Sequence, residues 1–401
     1  MARLSFQDLK FSLEKGDVKV SFLNLFYFKL NKGELTSIGK FSLGGSFIDF
    51  PEISEKRANN RFNNLLSKGF RNLKNKINGK NVIYIHKNSG IPLIGHIAIG
   101  IVDRDTSIIE VKPITSCNLQ CIYCSVAEDK RPVDFVIEKD YLAEELHKLV
   151  ELKNSKGVEI NIGAQGEPLL YSPLVDFIHD ISKLDTVSEI SINTNGTLLT
   201  KDLIEKLSKA GLTRVNLSLN SVDEKYSKYI SGGEVYDIKR IKKIMPIIQE
   251  NMELLIAPVW IPGINDDEIP KIIKFCNTLK KIPRIMIQNF LNYKHGRNPV
   301  KGVTWEQFED KLKEWENEYN VKLRYHLKDE FKVKKIKVLS DPFKRGEIVK
   351  GEIMGPGRLM NESIGIAGGR LISIKGNLKK GKAKIKIIKI KDHICYGDLI
   401  R

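Results

Sequence analysis

The chain has 401 residues, 66 Lys+Arg against 49 Asp+Glu, a formal charge of +17, 41% hydrophobic residues and five Cys. That length holds two or three domains with ample core, and the apolar and charged fractions exclude wholesale disorder. No window of about 18 apolar residues exists, residues 1–10 lack the apolar run of a secretory signal, and five Cys are too few for a disulfide framework, so a cytoplasmic, reducing setting without a membrane span is expected.

The charge is unevenly placed. Residues 1–100 carry net +9, residues 341–401 net +8, and residues 101–340 sum to zero. Basic flanks suit a polyanion such as nucleic acid or an anionic membrane surface; the alternative is a Lys-rich solvated surface of the kind thermophiles favour. Residues 1–104 read as a basic N-terminal α+β extension. Residues 17–50 look like short strands, with turn signals at Asn31-Lys32-Gly33 and Gly44-Gly45. Residues 56–87 hold nine basic and no acidic residues. Within them Phe62, Leu65, Leu66, Phe70, Leu73 and Ile77 fall at helical spacing. Two readings stay open there: a helix packed on the core with a solvated basic face, or a nucleic-acid contact.

Residues 105–325 alternate in period. Strand-like runs at 108–114, 158–162, 188–193, 213–219, 253–259 and 284–290 are separated by helical patterns at 138–152, 173–184, 200–210, 236–250 and 266–280, with a last helix near 305–318. Repeated strand–helix alternation means parallel α/β, and six units rather than eight predict a partial (βα)6 barrel. Residues 341–401 show Gly punctuation and four or five short strands, which predicts a small OB-like β-barrel.

Three of the five Cys fall within eight residues, Cys117-Asn-Leu-Gln-Cys121-Ile-Tyr-Cys124, just after the first strand. Structural zinc wants four protein ligands, and no fourth Cys or nearby His completes the set. An iron–sulfur cluster held by three Cys leaves one iron open to an exogenous ligand. Later strands end in Gln165-Gly166-Glu167-Pro168, Thr194-Asn195-Gly196-Thr197, Ser218-Leu219-Asn220-Ser221 and Pro262-Gly263-Ile264-Asn265. With these motifs in order, the chain over about 105–300 resembles the radical S-adenosylmethionine (SAM) superfamily. Gln165 stands where the family's Gly-Gly-Glu segment has its first Gly.

The resemblance implies a [4Fe-4S] cluster on Cys117, Cys121 and Cys124, SAM as cofactor, and an electron donor such as ferredoxin or flavodoxin. Reductive cleavage of SAM then gives a 5′-deoxyadenosyl radical that takes a hydrogen atom from substrate. By the same resemblance Tyr123 lies beside the adenine and Glu167 accepts from the methionine ammonium. Asn195, Ser218 and Asn220 are polar candidates for SAM contact, and Gly166 and Gly263 let backbone approach the cofactor. Ordinary packing or turn roles are the alternatives for each.

Cys276 and Cys395 are too few for a second cluster held by three or four Cys and read as buried reduced thiols. Residues 343–400 resemble a TRAM domain, a small barrel recurrent on RNA-modifying enzymes. That likeness implies an RNA substrate, tRNA or rRNA. A small molecule, lipid or protein substrate is the rival, and a non-catalytic iron–sulfur protein a third reading. Tyr293, Lys294, His295 and Arg297, after the sixth strand, read as a substrate-side loop or an ordinary surface loop. Glu128 to Arg131 read as a flexible lid. Phe343, His393 and Tyr396 are candidates for base stacking, with core or surface packing as the alternative.

Overall fold

A computed structural model describes residues 2–163, 165–326 and 330–400. Met1 and Arg401, the outer ends of the first and last expected domains, lie outside the described residues.

The middle of the chain is a parallel sheet. Its strands are β1 (Ile108–Lys112), β2 (Val158–Ile162), β3 (Val187–Thr194), β4 (Arg214–Leu217), β5 (Glu253–Ile256) and β6 (Arg284–Ile285), hydrogen-bonded in that order. Val111, Ile160, Ile162, Ile192, Val215 and Ile256 are fully buried, as near-continuous aliphatic strands covered on both faces should be. Strand Gly100–Asp103 adds an antiparallel edge beside β1 that the sequence pattern did not reveal. The sheet stays open, so the architecture is the expected partial (βα)6 barrel.

Six helices sit where the 3.6-residue period puts them: Lys139–Lys153, Leu174–Ile181, Lys201–Ala210, Ile238–Asn251, Glu268–Asn277 and Trp305–Tyr319. Their starts are encoded locally. Thr200 accepts from the Leu203 amide, Asp237 from the Arg240 amide, and Thr304 with Gln307 forms a reciprocal capping box. A further helix, Glu224–Ser231, lies between β4 and β5. Its buried residues are Ser227, Ile230 and Ser231, so it shows no apolar stripe.

The N-terminal flank has its own aromatic core. Phe6, Phe11, Phe50 and Phe62 pack ring against ring, and Phe22, Phe70 and Tyr84 form a second group. Helix Glu55–Phe70 buries Phe62, Leu65 and Leu66. The expected stripe is corrected at its end. The helix stops at Phe70, Leu73 packs from the following turn, and Ile77 is exposed. The Asn31 turn signal is also corrected: its side chain accepts from the Gly33 and Glu34 amides and caps helix Lys32–Ile38. Strand Asn81–Ile85 of this flank pairs in parallel with Val133–Ile137, a strand inserted between β1 and β2.

Residues Ile348–Ile400 form a closed five-stranded barrel, as the C-terminal pattern predicted. Its core includes Phe343, Ile353, Ile372, Ile374, Ile385, Ile387 and Cys395. The barrel is seated on the rest of the chain. Leu371 N donates to Ile94 O and Cys395 N to Gly95 O. Gly95 has φ +121°, and a Cβ there would lie 2.2 Å from Leu371 O, so this contact requires glycine. Arg104 bridges Glu110 and Asp392. His393 binds Asp341 through Nδ1 at 2.6 Å and Asp105 through Nε2 at 3.1 Å. Lys153, itself buried, pairs with Asp103 and Asp105 and donates to Lys337 O.

Candidate active site

The three Cys lie on the loop that leaves β1. Thr115 and Ser116, immediately before Cys117, are held from below by Asp134, which is fully buried. Asp134 accepts from Ser116 Oγ at 3.1 Å, Asn75 Nδ2 at 2.8 Å and Asn78 Nδ2 at 3.2 Å. Gln120 N and Ile122 N donate to Ser231 O and Ile230 O at the end of helix Glu224–Ser231. Gly232 closes that helix at φ +64°, and a Cβ there would lie 2.0 Å from Gln120 O. A side chain at 232 would push the Cys loop away.

Burial raises all three thiols, Cys121 up to about 12, and neighbouring Cys and Glu charges add to it. Such thiols stay protonated until a metal displaces the proton. Three thiols on one loop are the donor set of an iron–sulfur cluster that leaves one iron open to another ligand. The described residues do hold one compact metal-type group, Asp103, Asp105 and His393. The Lys153 ammonium is already bound to both of its carboxylates, so it is a salt-bridged clamp.

A cavity opens beside Cys121. Tyr123, Asn195, Ser218 and Asn220 line it together with Leu119, Ser221, Ile230 and Tyr236. Asn220 Nδ2 donates to Tyr123 Oη at 2.6 Å and Asn220 Oδ1 accepts from Val259 N at 2.8 Å. Asn195 Nδ2 donates to Asn118 Oδ1 within the Cys loop. Tyr236, on the segment before helix Ile238–Asn251, was missed by sequence reasoning. Its hydroxyl donates to Ser218 O.

Glu167 is 2% exposed. It accepts from Thr194 Oγ1 at 2.6 Å, Asn195 N at 2.8 Å and Leu169 N at 3.0 Å. Burial raises its carboxyl to about 7 against the pull of those three donors. Gly166 lies against backbone: a Cβ would meet Ser116 O at 2.2 Å and Thr115 O at 2.5 Å. Gly263 sits at φ +77° in an exposed turn with open space around it, outside the cavity lining. Its amide donates to Asp266.

The expected lid is corrected. Glu128 and Arg131 are buried, and Glu128–Lys130 is a short 3-10 turn. Glu128 takes the Cys124 thiol at 2.8 Å and pairs with Arg297 at 2.8 Å. Lys80 binds the Glu128 and Arg131 carbonyls from the N-terminal flank. Arg297 N also donates to Cys124 O. The substrate-side loop therefore divides. Arg297 braces the Cys loop, while Lys294 and His295 line a groove with Met360, Lys375, Ile388 and Tyr396 of the barrel. Of the stacking candidates, Tyr396 is 38% exposed, whereas Phe343 and His393 are buried. Cys276 and Cys395 are buried, as expected.

The sequence profile of the radical SAM superfamily matches residues 111–276. An uncharacterised protein of Methanocaldococcus jannaschii is 38% identical over 362 residues, covering 82% of this chain and 83% of that one. A GTP 3′,8-cyclase of Clostridium botulinum is 33% identical over 190 residues. That match covers 45% of this chain and 54% of the cyclase, about half its length. Among solved structures, Streptococcus suis SuiB bound to S-adenosylmethionine aligns with 18% identity and TM-score 0.43, over 79% of this chain and 69% of SuiB.

Proposed function

The chain belongs to the radical SAM superfamily, and from that premise we propose that it modifies an unactivated carbon of tRNA or rRNA. When bound, the family's [4Fe-4S] cluster and SAM supply a 5′-deoxyadenosyl radical for hydrogen-atom abstraction. Cys117, Cys121 and Cys124 hold the cluster in this reading. Tyr123, Asn195, Ser218 and Asn220 hold SAM, and Gly166 lets the Glu167 turn close on the backbone of Thr115 and Ser116. Glu167 keeps acceptor capacity for the methionine ammonium, because a carboxylate offers about four lone-pair sites and three are used. A ferredoxin or flavodoxin supplies the electron.

One observation carries the RNA reading. The groove between barrel and core mixes Lys294, His295 and Lys375 with the exposed Tyr396, Met360 and Ile388. A second cavity, lined by Ala127, Lys130 and Arg131, shares Lys294, His295, Leu359 and Met360 with it. The groove thus leads to the residues just after Cys124. Cationic side chains for phosphates and an exposed ring for a base are what single-stranded RNA requires. The strand Gly381–Lys391 adds five outward lysines, Lys382, Lys384, Lys386, Lys389 and Lys391. These features support a TRAM-type role for the barrel.

Binding of tRNA and rRNA to the full-length protein, titrated with salt, tests the reading. Affinity should fall steeply as salt rises. Tyr396→Ala should weaken binding by about 1–3 kcal/mol through lost stacking. A protein that binds no RNA at low salt sinks the proposal. The likeness to GTP 3′,8-cyclases favours a second reading, a free nucleotide as substrate. Binding of GTP without binding of RNA would select it.

A further inference from the structure

Three interior strands of the parallel sheet carry an asparagine at the same level. Asn161 lies between the buried Ile160 and Ile162 on β2, Asn193 between Ile192 and Thr194 on β3, and Asn216 between Val215 and Leu217 on β4. Alternation along a strand turns the three amides to the face opposite those buried neighbours. Leu146, Ile178 and Ile204 of the surrounding helices share a core with Ile160, Ile192 and Val215, so the amides face the inside of the partial barrel. β3 is paired on both edges, yet Asn193 is exposed. The inside of the barrel is therefore open at this level.

The amides form a chain whose direction is fixed at both ends. Arg214 Nε, which can only donate, bonds Asn216 Oδ1 at 3.0 Å. Asn216 Nδ2 is then the donor to Asn193 Oδ1 at 2.7 Å, and Asn193 Nδ2 donates to Asn161 Oδ1 at 2.9 Å. Asn161 Nδ2 donates to Ser191 Oγ at 2.7 Å, and Ser191 donates to the Glu159 carboxylate at 2.6 Å. Glu159, which can only accept, also pairs with Arg214 and closes the circuit. Reversing any one amide would set donor against donor or acceptor against acceptor. An amide has two N–H groups and two acceptor sites. Asn193 and Asn216 each keep one N–H, and Asn161 and Asn216 each keep one acceptor site, without a partner among the described residues.

The charges beneath the row are already matched. Arg214 pairs with Glu189 as well as Glu159, Arg284 pairs with Glu253, and both guanidinium groups lie over the Phe331 ring, at 4.8 and 5.0 Å. The row is thus a neutral hydrogen-bonding surface, suited to an uncharged polar edge and not to an anion. Two residues beyond Asn193 and Asn216 come Asn195 and Ser218, which line the cavity beside Cys121. Two residues of strand span about 6.6 Å. Two residues beyond Asn161 comes Gly163, where a Cβ would lie 3.2 Å from Asn193 Nδ2 and 3.5 Å from Asn161 Oδ1. Glycine there leaves the row uncovered.

We infer that Asn161, Asn193 and Asn216 read the edge of the substrate's nucleobase inside the barrel. A base edge presents neutral donors and acceptors in one plane, the pattern that an Asn amide matches. Asn193, at the centre of the row, is the specificity-determining residue, and Glu159 with Arg214 positions it. The inference rests on the proposed nucleotide chemistry of the substrate, with the base in RNA or in a free nucleotide.

The test places wild type, Asn193→Leu and Asn193→Ser, at equal protein level, in cells lacking the gene. Nucleosides from tRNA, from rRNA and from the free nucleotide pool are then compared by mass spectrometry. Wild type should restore a modified nucleoside, and the fraction that holds it separates RNA from free nucleotide. Asn193→Leu should lower its yield at least tenfold. Asn193→Ser, which keeps one donor and an acceptor, should fall between the two. As reconstituted holoenzymes, both variants should match wild type in iron content, SAM affinity and substrate-free 5′-deoxyadenosine formation, because Asn193 lies outside the cavity lining. Full yield in Asn193→Leu would overturn the inference and leave the RNA reading intact if the product is in RNA. A modified free nucleotide that is lost in Asn193→Leu would support the inference and sink the RNA reading. A modified nucleoside in no fraction would overturn both. Iron content or SAM affinity that falls with yield in Asn193→Ser would make the row scaffold and also overturn the inference.

Discussion

The two basic flanks join the neutral core by different means. The N-terminal flank is stitched in by backbone: five residues of Asn81–Ile85 pair with Val133–Ile137, and Asn75 and Lys80 reach the Cys loop. Among the described residues the barrel has two backbone hydrogen bonds to residues 94 and 95, buries Ile364 and Leu371 in the main core, and adds charged contacts through Lys153, His393 and Arg104. A sheet junction loses strength with the whole domain. A charged seam responds to single substitutions and to pH. Similar net charges, +9 and +8, thus sit on flanks that are joined to the rest of the chain in different ways.

The sharpest separation of chemistry from scaffold comes from the Cys loop. Replacing any one of Cys117, Cys121 and Cys124 by Ala should bring 5′-deoxyadenosine formation to background. The apoprotein's unfolding midpoint should change little, since each change removes a single sulfur atom from a loop held by backbone hydrogen bonds to helix Glu224–Ser231. Intact turnover would show that the loop is scaffold like its surroundings. In the seam the order reverses. Lys153→Met strands the Asp103 and Asp105 carboxylates, one of them fully buried. Breaking such a pair costs about 3–5 kcal/mol, and urea unfolding should report a loss of that size. A change near zero would mean that the seam is hydrated. Gly95→Ala meets Leu371 O and an unfavourable φ. About 1–3 kcal/mol is expected from a forced backbone shift. Limited proteolysis should then release the barrel earlier than in wild type.

Local encoding separates what was legible in the sequence from what was not. The six parallel strands, six of the helices and the three Cys each announce themselves within a dozen residues through period, caps or spacing. Tyr123, Asn195, Ser218 and Asn220 were readable as strand-end polar residues, and the fold gathers them around one cavity. What escaped depends on partners far along the chain. Arg297 meets Glu128 across 169 residues, and His393 meets Asp105 across 288. Helix Glu224–Ser231 escaped for a local reason, since it buries two serines and one isoleucine. The lid reading failed because Glu128, Asp129 and Lys130 look solvated as a string. The contacts with Arg297, Lys80 and the Cys124 thiol hold Glu128 inside.

The smallest effect tests whether the seam is a pH-sensitive junction. His393 and Asp392 occupy the left-handed region, at φ +58° and +53°, in a two-residue hairpin that normally selects Asn or Gly. The His393 ring lies against Asp105 and Asp341, with Lys153 and Asp103 behind Asp105. Burial lowers the imidazole pKa, and the bonds and charges of Asp341 and Asp105 raise it by more, so the net shift is upward. A group whose folded pKa exceeds its unfolded value of about 6.5 stabilises the fold fully below that value. The contribution disappears as pH rises through the folded pKa. Wild type should therefore exceed His393→Gln in stability most at pH 6, and the gap should narrow steadily toward pH 9. Every tenfold gain in the imidazole's proton affinity on folding is worth about 1.4 kcal/mol. Asp105 is held below the usual carboxylate range: burial opposes this, but Lys153, the Leu339 amide and His393 outweigh it. It stays ionised across the window and leaves His393 as the titrating partner. A gap that widens with pH would assign the neutral imidazole to the folded state and reverse the sign of the clamp.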